Sequence, residues 1–388
     1  MLSAPRSPFP DVVCLSHLRW NFVFQRPQHL LTRCARDHRV FFVEEPVIDP
    51  SLAAPRLEVD RSGAVTVVVP QLPATLNDRQ RQLTQQRLLD EFLAGEQVSE
   101  FVLWYYTPMA LEFSRHLSPM GIVYDCMDEL SAFKGASARL KELEVELMRR
   151  ADVVLTGGQS LYEAKRDQHS NIHPFPSSVD VAHFAKARSV QPEPDDQGRL
   201  PRPRLGYCGV IDERMDLELV EGIAAARPDW QIVMVGPIVK IDAHSVPRAD
   251  NIHYLGPKSY DALPQYIGGW DVALMPFARN EATRFISPTK TPEYMAAGKP
   301  VVSTSIHDVV RPYGQQGLVR IADDVRSFVD ACSLAMLEDS TRRLSRADAF
   351  LSNMSWDHTW TRIHLLVNQA LGARARGQSL DFAQGATT

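Results

Sequence analysis

The residue types and spacings best suited to chemistry lie in one polar loop and the helix after it. Residues 272–275 form a short apolar run, which predicts a strand buried on both faces, and Pro276 ends it. The loop 277–290 is rich in charged and hydroxyl side chains. A helix is predicted from about Pro292 to Gly298, because proline suits a first helical turn and glycine a helix end. Such a loop between a parallel strand and a helix binds phosphates in α/β proteins, so the stretch predicts a phosphate site.

A second cation for such a site comes from a loop earlier in the chain. Residues 204–208 predict a strand, and Gly209 after it would let the backbone approach a ligand closely. Arg214 follows in the loop and offers forked donors to phosphate oxygens. The alternative is a surface ion pair between Arg214 and a neighbouring acid, namely Asp212, Glu213 or Asp216.

The first half of the chain offers candidates for proton transfer. Asp125 ends a predicted strand and is followed by Asp128 and Glu129, and acids at the end of a strand suit general-base work. Helix capping is the alternative for Asp128. His17 lies in the first loop after a strand, where a single histidine is more often structural. In the same loop, Gln25 or Arg26 is expected to face an interdomain cleft or to belong to an ordinary connection.

The elements that must position these residues alternate between strand and helix in both halves. This pattern predicts the α/β class, with two doubly wound Rossmann-like domains that face one cleft. We expect the first domain at residues 1–188, a linker rich in proline and charge at 189–203, and the second domain at 204–354. The first loop lacks the GxGxxG pattern, so it does not predict a dinucleotide site.

The polar stretch resembles the donor-binding signature of GT-B glycosyltransferases, in particular the retaining glycosyltransferase family 4. The run PTKTPEYMAAGKPVV at residues 288–302 carries the resemblance. It implies that Glu293 holds the ribose of a nucleotide-sugar; a helix-terminal acid that stabilises the helix dipole is the alternative. The family pattern has two glutamates separated by seven residues, and here Phe285 stands at the first position.

The resemblance implies further assignments. A return of the last helix, 355–376, onto the first domain is expected, followed by a tail at 377–388. Asn280 and Thr283 suit hydroxyls of the transferred sugar. Catalytic roles are expected for Arg214, Lys290, Asp125 and His17. The residues expected to contact the donor are Gly209, Arg214, Gly236, Asn280, Thr283, Ser287, Thr289, Lys290 and Glu293.

Composition excludes several other classes. The formal net charge of −5 argues against nucleic-acid binding. The five scattered cysteines predict a reduced, cytoplasmic chain with neither disulfides nor a zinc site. No signal peptide is predicted from the first ten residues, and no apolar run approaches the roughly 20 residues of a spanning helix. Peripheral contact with the inner face of a membrane is left open.

The resemblance implies a glycosyltransferase that moves a sugar from a UDP- or GDP-sugar to a saccharide or lipid-linked acceptor. We expect retention of configuration without a metal or cofactor, because basic side chains would offset the charge of the leaving diphosphate. Residues 24–31, FQRPQHLL, also resemble bacterial cell-surface polysaccharide transferases. One alternative is a non-catalytic GT-B module that binds a nucleotide-sugar or a partner, which Phe285 favours. Another is a sugar-nucleotide epimerase of the same fold, which needs additional acids and a histidine in the cleft.

Overall fold

The computed structural model describes residues 10–189, 192–242 and 244–377. These residues form two α/β units, each built on its own sheet. This confirms the predicted α/β architecture. Most of the predicted tail, residues 378–388, lies outside the described residues.

The first domain is built on one sheet of nine strands. They are β1 Asp11–Ser16, β2 Val40–Glu44, β3 Val47–Asp49, β4 Arg56–Asp60, β5 Thr66–Pro73, β6 Phe101–Tyr105, β7 Gly121–Cys126, β8 Val153–Thr156 and β9 Ile172–Pro174. The spatial order is β3-β5-β2-β1-β6-β7-β8-β9, with β4 antiparallel to β5 and the other pairs parallel. The central strands β1, β2, β6, β7 and β8 are buried throughout, as their continuous apolar runs require. Sequence analysis did not predict β3 and β4, whose side chains are largely exposed.

Helices cover both faces of this sheet. They are α1 Arg26–Cys34, α2 Asp78–Gly95, α3 Leu111–Ser114, α4 Leu140–Arg150 and α5 Gln159–Lys165, whereas the next helix, α6 Val181–Ala185, packs against the second domain. Asn77 caps α2: its side chain accepts from the backbone N–H of Gln80, whose side chain in turn accepts from the Asn77 backbone. Two separate apolar clusters result, one on each side of the sheet.

The second domain is built on a parallel six-stranded sheet. Its strands are β10 Arg204–Cys208, β11 Gln231–Val235, β12 Ile252–Gly256, β13 Val272–Met275, β14 Val301–Ser303 and β15 Arg320–Ile321, in the order β12-β11-β10-β13-β14-β15. The helices of this part are α7 Asp195–Gly198 in the linker, then α8 Leu217–Ala226, α9 Leu263–Gly268, α10 Lys290–Ala296, α11 His307–Val309, α12 Val325–Met336 and α13 Ser340–Leu351. Helix α10 begins two residues before the predicted Pro292, and α13 was not predicted.

The linker differs from the irregular segment that was predicted. Its helix α7 buries Gln197, whose Nε2 donates to the carbonyl oxygen of Tyr266 and whose Oε1 accepts from Trp270 Nε1, both at 2.9 Å. Earlier still, Val179 and Phe184 pack into the apolar cluster of the second domain. The chain therefore joins the second domain's core before the predicted boundary after residue 188.

The last helix, α14 Trp356–Ala375, returns to the first domain as expected. Trp356 and Trp360 are buried in the first domain's cluster beside α1. The carboxylate of Asp357 pairs with Arg33 at 2.9 Å and Arg36 at 2.8 Å. Since exposed pairs of this kind contribute about 0–1 kcal/mol, the buried indoles supply most of the stabilisation.

We predict that Trp356→Ala lowers the free energy of unfolding by about 3–5 kcal/mol, because it leaves a cavity between α14 and α1. Leu365→Ala is the matched control, since Leu365 lies on the same helix with 58% of its surface exposed. The control should change stability by less than about 1 kcal/mol. Urea denaturation measures both values, and equal losses would contradict the inferred docking of α14.

Candidate active site

The carboxyl ends of strands from both sheets face a shared cleft. One cavity of about 480 Å³ is lined by residues 20–24 of the first domain and by loops that follow β10, β11 and β12. A smaller cavity of about 140 Å³ lies between the loop after β7 and the loops after β10 and β13. We call them the large and the small cleft cavity. Both are lined by Phe24, Gly209 and Lys290.

Two glycines predicted to contact a ligand line these cavities in backbone conformations that other residues rarely adopt. Gly209 has φ +154° and Gly236 has φ +144°. A Cβ on Gly209 would lie 2.7 Å from Tyr207 Oη, and one on Gly236 would collide with the carbonyl oxygen of Gly209. Both positions therefore require glycine. The backbone is left open toward the cleft.

A hydrogen bond joins helix α10 to the end of β10. The backbone N–H of Cys208 donates to Tyr294 Oη at 2.7 Å. This bond places the first turn of α10 beside Gly209. There Lys290 Nζ donates to Glu293 Oε2 at 2.7 Å, and both side chains are largely buried. Burial alone would lower the pKa of Lys290, but the Glu293 carboxylate outweighs it and holds that pKa above its ordinary value.

The predicted phosphate-binding residues of the second domain converge on the small cleft cavity. Arg214, Ser287, Thr289 and Lys290 all line it. Arg214 also pairs with Asp212, through Nε at 3.0 Å and Nη2 at 2.7 Å, so the ion pair foreseen as the alternative is present. No hydrogen bond of Arg214 Nη1 occurs within residues 10–189, 192–242 and 244–377. The arrangement leaves that edge of the guanidinium for an anion.

Asn280 and Thr283 do not take the positions predicted for them. The Asn280 side chain accepts from Thr283 N at 3.1 Å and donates to the carbonyl oxygen of Glu213. Thr283 is buried, and its hydroxyl donates to the carbonyl oxygen of Ala278. Both residues stabilise the loop by capping its short 3₁₀ turn. Neither lines a cleft cavity, so their expected contact with sugar hydroxyls is not supported.

Phe285, at the position of the missing acid, packs against the first domain. Its half-buried ring contacts the apolar cluster formed by α4, α5 and one face of the sheet. A second contact across the domains lies nearby, where Asp308 Oδ1 accepts from the backbone N–H of Ser160 at 3.0 Å. The replacement thus exchanges a polar group for an apolar interdomain contact.

The two candidates for proton transfer in the first domain occupy sites that do not suit that role. Asp125 is fully buried, and Arg26 Nε donates to both of its oxygens at 3.0 and 3.1 Å. An ion pair of this kind leaves no oxygen for an acceptor hydroxyl. Burial, with a contribution from Lys240, lowers the pKa of His17 to about 4, which makes it a weak base. Within the described residues, neither side chain lines the small cleft cavity.

Asp128 is a cleft residue that the sequence predictions left out of the site, and Lys240 lies near it. Asp128 lines the small cavity opposite Lys290. Burial raises the pKa of Asp128 to about 6, although Arg214, Arg26 and Lys240 oppose this effect. Lys240 Nζ lies 5.4 Å from the centre of the Phe133 ring, and Arg214 Cζ lies 5.7 Å from it. The only sequence signal was the acid cluster after β7.

Comparisons with known proteins give one class. The sequence profile of the family described as Glycosyl transferases group 1 matches residues 202–339, which contain β10 to α12. The protein named putative teichuronic acid biosynthesis glycosyltransferase TuaH, from Bacillus subtilis (strain 168), is 27% identical over 265 residues. That match covers 63% of this chain and 66% of the relative, which is slightly less than two thirds of its length.

Solved structures share the whole architecture at low identity. Sucrose-phosphate synthase from Thermosynechococcus elongatus aligns with a TM-score of 0.69 and 13% identity over 94% of this chain and 100% of its own. A trehalose-6-phosphate protein from E. coli, bound with UDP-2-fluoro glucose, aligns with a TM-score of 0.63 and 12% identity over 95% of this chain and 99% of its own. Anabaena HepE, in complex with UDP and glucose, aligns with a TM-score of 0.62 and 14% identity over 93% of this chain and 100% of its own. The fold is therefore GT-B.

Together, the family match and the TuaH likeness support a glycosyltransferase of the GT-B fold. This is the class that sequence analysis expected. Among the helices of the described residues, none has the length and apolar character needed to cross a membrane.

The raised pKa of Asp128 predicts a specific pH dependence of stability. An unfolded aspartate titrates near 3.9, so between about pH 4 and 6 the folded state holds a proton that the unfolded state has released. Stability should fall as pH rises through 6, and Asp128→Asn should remove that fall. At pH 8 we expect the free energy of unfolding of the variant to exceed that of the parent by roughly 1–2 kcal/mol, a value reduced for the partial exposure of the Asp128 side chain.

Urea denaturation between pH 4 and 8 measures this difference. Asp229→Asn is the control, because the Asp229 carboxylate is exposed and Arg227 lowers its pKa. The control should show no gain at pH 8. If the free energy of unfolding changes with pH in the same way for the parent and for Asp128→Asn, the raised pKa of Asp128 is contradicted.

Proposed function

We propose that the protein is a retaining glycosyltransferase of the family 4 type, which transfers a sugar from a nucleoside diphosphate sugar without a metal or cofactor. One observation carries the proposal. The small cleft cavity brings Arg214 and Lys290 from the second domain opposite Asp128 from the first. Cations on one wall and a carboxylate on the other suit a reaction in which a diphosphate leaves and a hydroxyl attacks.

The donor would bind the second domain through groups that are paired with each other when no ligand is present. Glu293 would accept hydrogen bonds from the two ribose hydroxyls, and Lys290 would turn from Glu293 to the diphosphate. Gly209 and Gly236 would allow the backbone to approach the nucleotide. Because both side chains are largely buried, the ligand replaces one charged contact with another without exposing an unpaired charge.

The bond between the sugar C1 and the diphosphate would break as negative charge grows on the leaving oxygen. Arg214 and Lys290 would offset that charge, and Lys240 would add a third cation at the rim. The Phe133 ring lies close to both Arg214 and Lys240, and so it would hold the two side chains in position. The backbone N–H groups of Ser287 and Thr289 would contribute further donors, whereas Pro288 between them has none.

The acceptor would be held by the first domain. Asp128 would take the proton of the attacking hydroxyl as the acceptor oxygen forms its bond to C1, on the face from which the diphosphate leaves. Attack on that face would retain the anomeric configuration. In this proposal Asp125 is a positioning residue, since its ion pair with Arg26 lies beneath the loop that carries Asp128.

The comparisons support a proposal for the class of substrate and for the cellular process in which the protein acts. The name of the TuaH relative supports a role in cell-surface polysaccharide synthesis, with a saccharide or lipid-linked acceptor. UDP is the preferred nucleotide of the proposal, because two structures of similar fold hold UDP or a UDP-sugar. We further propose that the protein acts in the cytoplasm, with peripheral contact to the inner face of the membrane.

A non-catalytic nucleotide-sugar-binding module is the second candidate. The observation that favours it is Phe285, which packs on the first domain where the family pattern has an acid that faces the sugar. Such a module would bind a nucleotide but show no transfer. Turnover with a UDP- or GDP-sugar therefore separates the two candidates.

Nucleotide binding tests the donor site. By calorimetry we expect UDP to bind in the presence of EDTA, and Glu293→Gln to weaken that binding at least tenfold, because an amide accepts fewer hydrogen bonds than a carboxylate. Glu281→Gln is the matched control, since this acid lies on the loop that precedes α10 with 76% of its side chain exposed. Parallel titration with GDP identifies the base. Absence of binding by both nucleotides would reject the donor site.

Transfer kinetics test Asp128. We predict that Asp128→Asn lowers kcat by roughly 10²–10⁴-fold while leaving UDP affinity within a few fold, because the carboxylate would act on the acceptor. The rate of the parent should fall below about pH 6, where the carboxyl becomes protonated. A variant with full activity, or a parent whose rate is constant from pH 5 to 8, would remove Asp128 from the mechanism.

A further inference from the structure

A third cavity lies at the opposite edge of the second domain. It has a volume of about 390 Å³, and its lining includes Arg188, Glu193, Arg202, Gly269, Lys299 and Arg343. Three of these residues lie two or three positions before a strand: Arg202 before β10, Gly269 before β13 and Lys299 before β14. The donor site uses the carboxyl ends of the same parallel strands. This cavity, which we call the hinge cavity, is therefore separated from the cleft by the length of the sheet.

Two of the four cations that line the hinge cavity are balanced by carboxylates. Arg188 forms a forked pair with Asp348, at 2.6 and 3.0 Å. Arg202 pairs with Asp271 at 2.6 Å and with Glu193 at 3.3 Å. These pairs tie the linker to the second domain and leave little charge for a ligand.

The other two cations, Lys299 and Arg343, have neutral partners. Lys299 Nζ donates to the carbonyl oxygens of Gly268 and Trp270, both at 2.8 Å. Arg343 Nη2 donates to the carbonyl oxygen of Gly298 at 3.0 Å. Within the part of the chain that the structure describes, neither forms an ion pair. The hinge cavity therefore carries two positive charges that no carboxylate compensates by direct contact, while Asp271 and Glu193 act on Lys299, and Glu338 and Asp339 act on Arg343, from a longer distance.

An unsatisfied donor points to the same conclusion. Arg343 Nε is buried and makes no hydrogen bond within residues 10–189, 192–242 and 244–377. A buried donor without an acceptor costs about 1–3 kcal/mol, and more for a charged group. Burial, reinforced by Arg202 and Arg343 and opposed by Asp271, lowers the pKa of Lys299 to about 8. An anion in the hinge cavity would offset the buried charge of Lys299, and it would accept from Arg343 Nε once the guanidinium turns toward it.

We propose that the hinge cavity binds a phosphate group between Lys299 and Arg343, as the free ion or as the phosphate of a small metabolite. The dianion would match the two uncompensated charges. Its oxygens would accept from Arg343 Nε and from the remaining N–H of Lys299, and arginine suits such contacts because its donors form a planar fork. The cavity volume leaves room for a small organic group beside the phosphate. A recessed pocket of this shape favours a soluble ligand over a membrane surface.

This site would act on the segment that joins the domains. One wall of the hinge cavity is linker and the other includes α13, so a bound anion would hold the linker against the second domain. The inference goes beyond the proposed transfer reaction and does not depend on it.

Calorimetric titration with inorganic phosphate and with a hexose phosphate, at constant ionic strength, tests the proposal. Titrations with and without UDP separate the hinge cavity from the cleft. We expect Arg343→Gln to weaken phosphate binding at least tenfold, and Arg342→Gln, on the exposed neighbouring position of α13, to leave it unchanged. Tighter binding of the hexose phosphate would identify a metabolite site, and equal binding a site for the free ion.

A second variant keeps the test informative in case Arg343→Gln does not fold. Ser340→Asp adds a negative charge to the lining of the hinge cavity, at the first turn of α13, where an acid favours the helix. It should fold normally and also weaken phosphate binding about tenfold. No phosphate binding by the parent, or equal affinity in the parent and both variants, would overturn the proposal. UDP affinity, measured separately, reports on the donor site alone.

Discussion

The close approach of β10 and α10 is the constraint on which the site depends. Hydrogen bonding of Cys208 N to Tyr294 Oη fixes the helix against the strand end, and Gly209 and Gly236 allow the loops to pack without side chains between them. A side chain at either glycine would collide with neighbouring atoms, so the strand ends could not meet in this way. Only with this packing does Lys290 reach both cleft cavities while paired with Glu293.

The cleft is also maintained by contacts that cross between the domains. Phe285 and Asp308 of the second domain contact the first, and Phe133 of the first domain lies against Arg214 of the second. Helix α14 adds the buried indoles of Trp356 and Trp360. These contacts are individually small, which suits a cleft that opens and closes around its ligands, as the proposed transfer requires.

Charge is distributed differently at the two edges of the second domain. In the cleft, the cations Arg214 and Lys290 are paired with Asp212 and Glu293, so a ligand must exchange partners. At the amino ends of the strands, two cations contact only carbonyl oxygens. One sheet therefore carries a site that is neutral before binding and a site that is positively charged.

The sequence by itself determined the architecture and suggested the position of the proposed donor site. Alternating strands and helices predicted both sheets, since continuous apolar runs suit buried parallel strands, and the run at 288–302 located Lys290 and Glu293. The prediction missed β3, an edge strand with little burial to impose a period, and overlooked the alternation of polar and apolar residues at Arg56–Asp60, which indicates β4. The linker helix around Gln197 was missed because it exists through contacts with Tyr266 and Trp270.

Only the tertiary structure decided which polar residues face the cleft. Asp125 and Asp128 are three residues apart, and only Asp125 was assigned a catalytic role, yet Asp125 is buried against Arg26 from a distant helix and Asp128 lines the cavity. Asn280 and Thr283 form hydrogen bonds within their own loop, and Lys240, which no sequence motif indicated, lies against the Phe133 ring. The physical reason is that burial and pairing are set by chain segments distant in sequence, and these decide whether a charged group serves the fold or remains available to a ligand.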